Sequence, residues 1–277
     1  MSDIPMNFDA LLAAGNDKQA FVMRGSAFQS LHFDLTAVQS KMAIDDPYRL
    51  VLGYTKTMLA FRFFVASPKR IAMIGLGGGS LAKYCHRAFP LATIEVCEID
   101  PTVIALRDDF LVPQESPRFT VRCSNGAYYM RNCAKQVELL LVDGFDLKGL
   151  PAALCSQSFY DDCAAALAPE GIAVFNLLAM DAGNPTHVYR MSRAFGNNVI
   201  VIKAEDGLNY IAFASRNAAL LGTADTRLLQ HAEALEQESG YGFLSYARRL
   251  IASRRSYVNA EEIFVANEIN ARVVKRR

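Results

Sequence analysis

A chain of 277 residues has room for one large domain with an appendage or for two modest ones, and 52% hydrophobic against 21% charged residues excludes a disordered or fibrous protein. The 29 Lys and Arg against 28 Asp and Glu leave a net charge of +1, too little field to steer a polyanion, so nucleic acid is not expected as a partner. Six cysteines without a C-x-x-C pair, a start with no basic and apolar leader, and no run near ~18 apolar residues fit a reduced, cytoplasmic protein that makes no membrane contact.

Residues 20–40 alternate loosely through Phe21, Met23, Phe28, Leu31, Phe33 and Val38, which predicts two or three short strands of a small β appendage. Asp45-Asp46-Pro47 then has the form of a helix start, an Asp cap with Pro at the first helical position. Tyr48, Val51, Leu52, Tyr54, Thr55, Met58 and Leu59 follow at helical spacing, and Ser67-Pro68 closes the helix.

From Arg70 onward, short apolar runs alternate with helical stretches. The runs are Ile71 to Ile74, Ile94 to Cys97, Phe119 to Cys123, Val137 to Val142, Ile172 to Phe175, Val199 to Ile202 and Tyr210 to Phe213. Strands separated by helices of ~10 to 15 residues predict βαβ units, hence a doubly wound α/β domain with a parallel sheet covered on both faces. Helix starts are marked by Asp100-Pro101, by Ser158 with Asp161 and Asp162, and by Asn184-Pro185. Leu228 to Leu235, Phe243 to Ile251 and Glu261 to Val273 read as C-terminal helices, and Lys275 to Arg277 as a solvated tail. The chain thus divides into an N-terminal β subdomain with its connecting helix (1–66) and a larger α/β domain (67–277).

The sharpest local feature is Gly75-Leu76-Gly77-Gly78-Gly79 between the first buried strand and the helix Leu81 to Ala88. Glycines there let the backbone turn tightly and approach a ligand, and the helix start offers unpaired amides. The second strand ends at Glu98, near the ~20-residue spacing at which an acid receives ribose hydroxyls. Asp100 directly precedes Pro101 and suits a helix cap better. Ser80 stands where a dinucleotide fingerprint needs glycine or alanine, which disfavours a pyrophosphate ligand.

After the third strand, Asn125-Gly126 offers a short amide that either meets an adenine amino group or caps a helix. The fourth strand delivers Asp143-Gly144-Phe145-Asp146 to the same rim. An acid at an apolar strand end costs desolvation unless it serves a ligand. His32, His86, His187 and His231 are scattered without metal-ligand spacing, so no metal is expected.

Taken in order, the glycine loop, Cys97-Glu98-Ile99-Asp100, Asn125-Gly126, Val142-Asp143-Gly144-Phe145-Asp146, Ser158-Phe159-Tyr160 and Leu167-Ala168-Pro169-Glu170-Gly171 resemble the spermidine synthase family. The resemblance implies a small N-terminal β domain on a Rossmann-like domain of the class I S-adenosylmethionine-dependent methyltransferase type, assembled as a homodimer. It implies a ribose contact at Glu98, an adenine contact at Asn125, a catalytic base at Asp143 and a second acid at Asp146, with Gln39 and the substrate-side Tyr48 matching the start of the pattern.

Three departures bear on the substrate. The loop acid that pairs with the amine of decarboxylated S-adenosylmethionine is replaced by Gly78, the Tyr-Gln-Glu motif reads Tyr48-Arg49-Leu50, and the Tyr-Pro substrate loop has no counterpart near Lys203 to Gly207. The resemblance implies a transferase that binds S-adenosylmethionine or its decarboxylated form and transfers an aminopropyl group to a small-molecule amine, while the departures weaken the expectation of a polyamine acceptor. Methyl transfer from S-adenosylmethionine, with Arg49 pairing the cofactor carboxylate, and a non-catalytic nucleoside-binding homologue are the alternatives.

Overall fold

The computed structural model describes residues 19–35, 37–133, 136–146, 149–218 and 222–255. Three short strands, β1 (Phe21–Arg24), β2 (Phe28–His32) and β3 (Ser40–Ala43), form an antiparallel sheet in the order β1-β2-β3. It rests on the larger unit through specific bonds. Gln29 Nε2 donates to the Asp109 carbonyl at 2.6 Å, and the Ala20 amide donates to Thr102 Oγ1 at 3.2 Å.

The larger unit is a seven-stranded sheet in the order β6-β5-β4-β7-β8-β10-β9. Its strands are β4 (Arg70–Ile74), β5 (Thr93–Glu98), β6 (Phe119–Cys123), β7 (Val137–Val142), β8 (Leu167–Leu178), β9 (Val199–Lys203) and β10 (Asn209–Ala214). Helices α1 (Gly53–Met58), α2 (Ser80–Ala88), α3 (Pro101–Ala105), α4 (Gly126–Asn132), α5 (Gln157–Ala166), α6 (Asn184–Ala194), α7 (Asp225–Ser239) and α8 (Phe243–Arg255) cover it.

The central strands β4, β7 and β8 are apolar on both faces because both faces are covered. Ile71, Met73, Ile94, Leu139, Leu141 and Val174 enter one core, and Ala72, Ile74, Cys97, Leu140, Val142 and Phe175 enter the other. Strand order reverses between β4 and β7, and the carboxyl ends of strands at such a switch point frame a ligand crevice.

Three expectations are corrected. The sheet is mixed, not parallel: β10 runs antiparallel to both β8 and β9. Residues 204–208 are too few for a crossover, so β9 and β10 close as a hairpin. The helix expected after Pro47 begins only at Gly53, because Asp45-Asp46-Pro47 makes a turn, in which Asp46 accepts from the Tyr48 and Arg49 amides. Leu50 is then held in a bridge to Met42 and donates its amide to Tyr241 Oη at 3.0 Å. Helix α5 is capped by Ser156, not Ser158, through a bond from the Phe159 amide. The helix expected over Glu261 to Val273 and the basic end lie outside the described residues. Among those described, no helix is long and apolar enough to cross a membrane.

One buried charge ties the two sheets together. Lys83 of α2 is 1% exposed, and its Nζ donates to the Phe110 carbonyl at 2.7 Å and lies 3.0 Å from Met42 Sδ. Burial lowers its pKa to about 8, against the opposing charge of Asp46. The folded amine therefore holds its proton less tightly than the unfolded one. Its penalty is full below pH ~8 and fades as the pH approaches the ordinary lysine value of ~10.4. The urea midpoint of the wild type is expected to gain on that of Lys83→Met between about pH 7.5 and 9.5, where titrations common to both proteins cancel. A constant gap would show that the amine is not desolvated.

Candidate active site

The glycine loop leaves β4 in a conformation that explains its composition. Gly75 has φ +94°, a region that L side chains rarely enter, and donates its amide to the Cys97 carbonyl at 2.8 Å. A Cβ there would press into the backbone carbonyl of Asp143, so the bare glycine is what lets the ends of β4 and β7 meet. Gly77 lies beside Ser40 of β3, and Gly79 is the left-handed residue that starts α2. Gly78 is enclosed: a side chain there would meet Ser40 Oγ at 2.7 Å and the ring of Phe110 at 2.8 Å.

Glu98 closes β5 and is 8% exposed. Its Oε2 accepts from the Leu76 amide at 2.8 Å, and its Oε1 accepts from the Ile99 and Asp100 amides at 2.8 and 2.9 Å. Three of about four acceptor sites are thus spent on backbone, which fixes the carboxylate beside the loop. Asp100 caps α3 through the Thr102 amide at 2.7 Å.

Asn125 caps α4, with Oδ1 accepting from the Ala127 and Tyr128 amides at 2.9 and 3.1 Å. The amide oxygen read as an adenine contact is therefore committed to the helix, whose first amides have no other intrahelical partner. Gly126 is needed because a Cβ would sit 2.5 Å from Ile74 at the end of β4.

Asp143 follows β7 and lies between two donors. Tyr54 Oη of α1 donates to Oδ2 at 3.0 Å, and Asn176 Nδ2 of β8 donates to Oδ1 at 2.7 Å. Burial pushes its pKa up, the Glu98 charge adds to the rise, and the two donors pull it back. Burial and the Asp143 charge together hold the Tyr54 phenol well above its ordinary value, so Tyr54 stays a donor. Asp146 is exposed further along the rim, where its backbone pairs with Gly149.

The crevice therefore brings together the glycine loop, Glu98, the Asn125-Gly126 turn and Asp143. Gln39 precedes Ser40, which touches the loop, and its amide donates to the Leu31 carbonyl. Tyr48 and Arg49 are not part of the site. The Arg87 guanidinium stacks on the Tyr48 ring at 4.9 Å, some eight residues or about 12 Å along α2 from the loop, and Arg49 pairs with Asp45 on the surface at 2.8 Å. Tyr54, not Tyr48, is the tyrosine whose hydroxyl reaches Asp143. The next two residues are Thr55 and Lys56, and Lys56 pairs with Glu205 at 2.8 Å.

Among the described residues, no three His, Cys, Asp or Glu side chains converge as a metal site. Residues 51–180 match the family described as Spermine/spermidine synthase domain. The chain is 34% identical over 223 residues to the polyamine aminopropyltransferase of Chromobacterium violaceum, covering 80% of this chain and 85% of the relative.

The chain belongs to the spermine/spermidine synthase family. It is a transferase with the class I methyltransferase fold. Two solved structures agree with that fold. Human methyltransferase-like protein 13 in complex with SAH gives a TM-score of 0.60 at 25% identity, covering 68% of this chain and 92% of that one. A spermidine synthase in complex with the transition state analogue AdoDATO gives 0.62 at 18% identity, covering 91% and 89%.

Proposed function

We propose that this family member transfers an alkyl group from a sulfonium nucleoside, S-adenosylmethionine or its decarboxylated form, to a small-molecule amine, with Asp143 as the base. The observation that carries the reading is the placement of Asp143, half-buried at the switch point beside Gly75 and held on both oxygens by Tyr54 and Asn176. The residues present suit the nucleoside. Glu98 is pre-oriented to take a ribose hydroxyl, the loop glycines allow close approach, and Asn125 and Gly126 shape the turn beside them.

When bound, the nucleoside supplies a sulfonium-activated carbon. The protein's part is to line the amine up with that carbon and remove its proton. An Asp and an alkylamine differ by ~6 pKa units in water, about 9 kcal/mol against transfer. The upward shift of Asp143 narrows that gap. Asp146 supplies a second acid on the rim. A cytoplasmic homodimer is part of the same reading.

The transferred group divides the reading. The polyamine aminopropyltransferase relative supports aminopropyl transfer. Methyl transfer has its own support in the wall at Gly78, where Phe110 and Ser40 leave no space for an acid that would hold the donor's amine. Calorimetry with the two nucleosides, followed by mass spectrometry of products from a panel of diamines and monoamines, separates them. Tighter binding of the decarboxylated form with an aminopropylated product is expected for the first reading, and tighter binding of intact S-adenosylmethionine with a methylated product for the second. No affinity for either nucleoside would overturn both.

A further inference from the structure

Strand β8 is apolar from Ile172 to Leu178 except at Asn176, which is 3% exposed. A buried amide in such a strand costs about 1–3 kcal/mol unless its hydrogen bonds are made. Both ends of this one are used: Nδ2 donates to Asp143 Oδ1 at 2.7 Å, and Oδ1 accepts from Asn209 Nδ2 at 2.9 Å. Asn209, 6% exposed, begins β10. The antiparallel register sets Ile211 opposite Asn176, which makes Asn209 the diagonal neighbour on the same face.

An isolated Asn amide turns over by half a rotation at little cost, and each orientation suits a different partner. With Nδ2 toward Asp143 it suits a carboxylate, and with Oδ1 there it suits a protonated acid. The Asn209 donor opposes that turn, because an Asn176 overturned alone would set its NH2 group against the NH2 group of Asn209. We propose that Asn209 and Asn176 form a two-amide relay that fixes Asp143 as a hydrogen-bond acceptor, so that both are positioning residues for the carboxylate. The groups facing Asp143 are Tyr54 of α1, Asn176 of β8 and, through its charge, Glu98 of β5, while Asp206 of the β9–β10 loop acts on Tyr54. Burial and Glu98 press Asp143 toward its neutral form, and the relay opposes them.

The consequence for turnover rests on the reading of Asp143 as base, but the relay is measurable without turnover. In protein labelled with 13C at aspartate carboxyls, the Asp143 resonance, assigned by its loss in Asp143→Asn, gives its titration midpoint directly. Asn209→Ala is expected to raise that midpoint by about half to one unit, a three- to tenfold change in the ionisation equilibrium. The same substitution in an Asn176→Ala background is expected to raise it no further. Where alanine lowers stability, Asn209→Thr keeps a strand-compatible side chain whose hydroxyl is too short to reach Asn176. An unmoved midpoint, or an equal shift in both backgrounds, would overturn the relay. A shifted midpoint with no matching shift in the acidic limb of kcat/KM would leave the relay standing and remove Asp143 as base.

Discussion

Asp143→Asn is expected to lower kcat by about 10²- to 10⁴-fold, the range that a positioned general base contributes, or about 3 to 5 kcal/mol of barrier. The substitution is a clean probe because the surrounding donors accommodate it. An asparagine oxygen still accepts from Asn176 Nδ2, and its NH2 group turns toward Tyr54, whose hydroxyl rotates to accept. It also removes a charge that burial disfavours. An acid whose folded pKa is raised weakens the fold above its unfolded value, so at pH 7 the variant is expected to be as stable as the wild type or more so. Product formation by mass spectrometry, nucleoside affinity by calorimetry and thermal unfolding should therefore diverge, with the first collapsing and the other two holding. Turnover within threefold of wild type, at unchanged affinity, would assign the base elsewhere.

The raised pKa of Asp143 also sets the expected pH response. The acidic limb of kcat/KM should lie above the ordinary aspartate range, since the group must be ionised to accept a proton, and it should be the limb that Asn176 and Asn209 control. That coupling runs across three adjacent strands. Asp143 leaves β7 one residue after the pair Val142 and Phe175, Asn176 follows Phe175 on β8, and Asn209 opens β10 beside it. The family reading supplied the acid, but only the sheet register shows what steadies it.

The placement of the glycine loop, Glu98 and Asp143 was legible in the sequence because each follows or ends an apolar run at a strand's carboxyl end, and the fold gathers those ends at the switch point. The start of α1 was not. Asp-Pro marks a turn as readily as a helix, and the bonds that hold Leu50 to Met42 and Tyr241 join residues far apart in sequence. The displaced start cost the assignment of Tyr54, which lay in the expected helix but carried no mark of its own. Asn176 did leave a mark, a lone amide in an apolar strand, yet its partner Asn209 becomes a neighbour only through the antiparallel hairpin that a purely parallel sheet does not contain. The enclosure of Gly78 by Phe110 and Ser40 was invisible as well, since it brings together side chains from segments far apart in sequence.

Gly75→Ala is the substitution expected to do the most structural damage for the fewest atoms. At φ +94° an alanine is strained by roughly 1–3 kcal/mol, and the added methyl meets the Asp143 carbonyl, a backbone atom that moves only if β7 moves. Relief by a shift of β4 is opposed by the Gly75 amide bond to Cys97 and by the Asp143 amide, which donates to the Ile74 carbonyl at 2.8 Å. The combined cost is expected at about 2–4 kcal/mol, a fall in thermal midpoint of roughly 5–15 °C for a chain of this size. The same displacement carries Asp143 away from Tyr54 and Asn176, so turnover should fall further than the lost stability accounts for when both are measured well below the midpoint. Gly196, where φ is +63° but a Cβ would meet nothing within 4 Å, provides the control. Gly196→Ala should show the backbone strain without the loss of activity, and equal losses at the two sites would mean that contact with Asp143 is not what Gly75 protects.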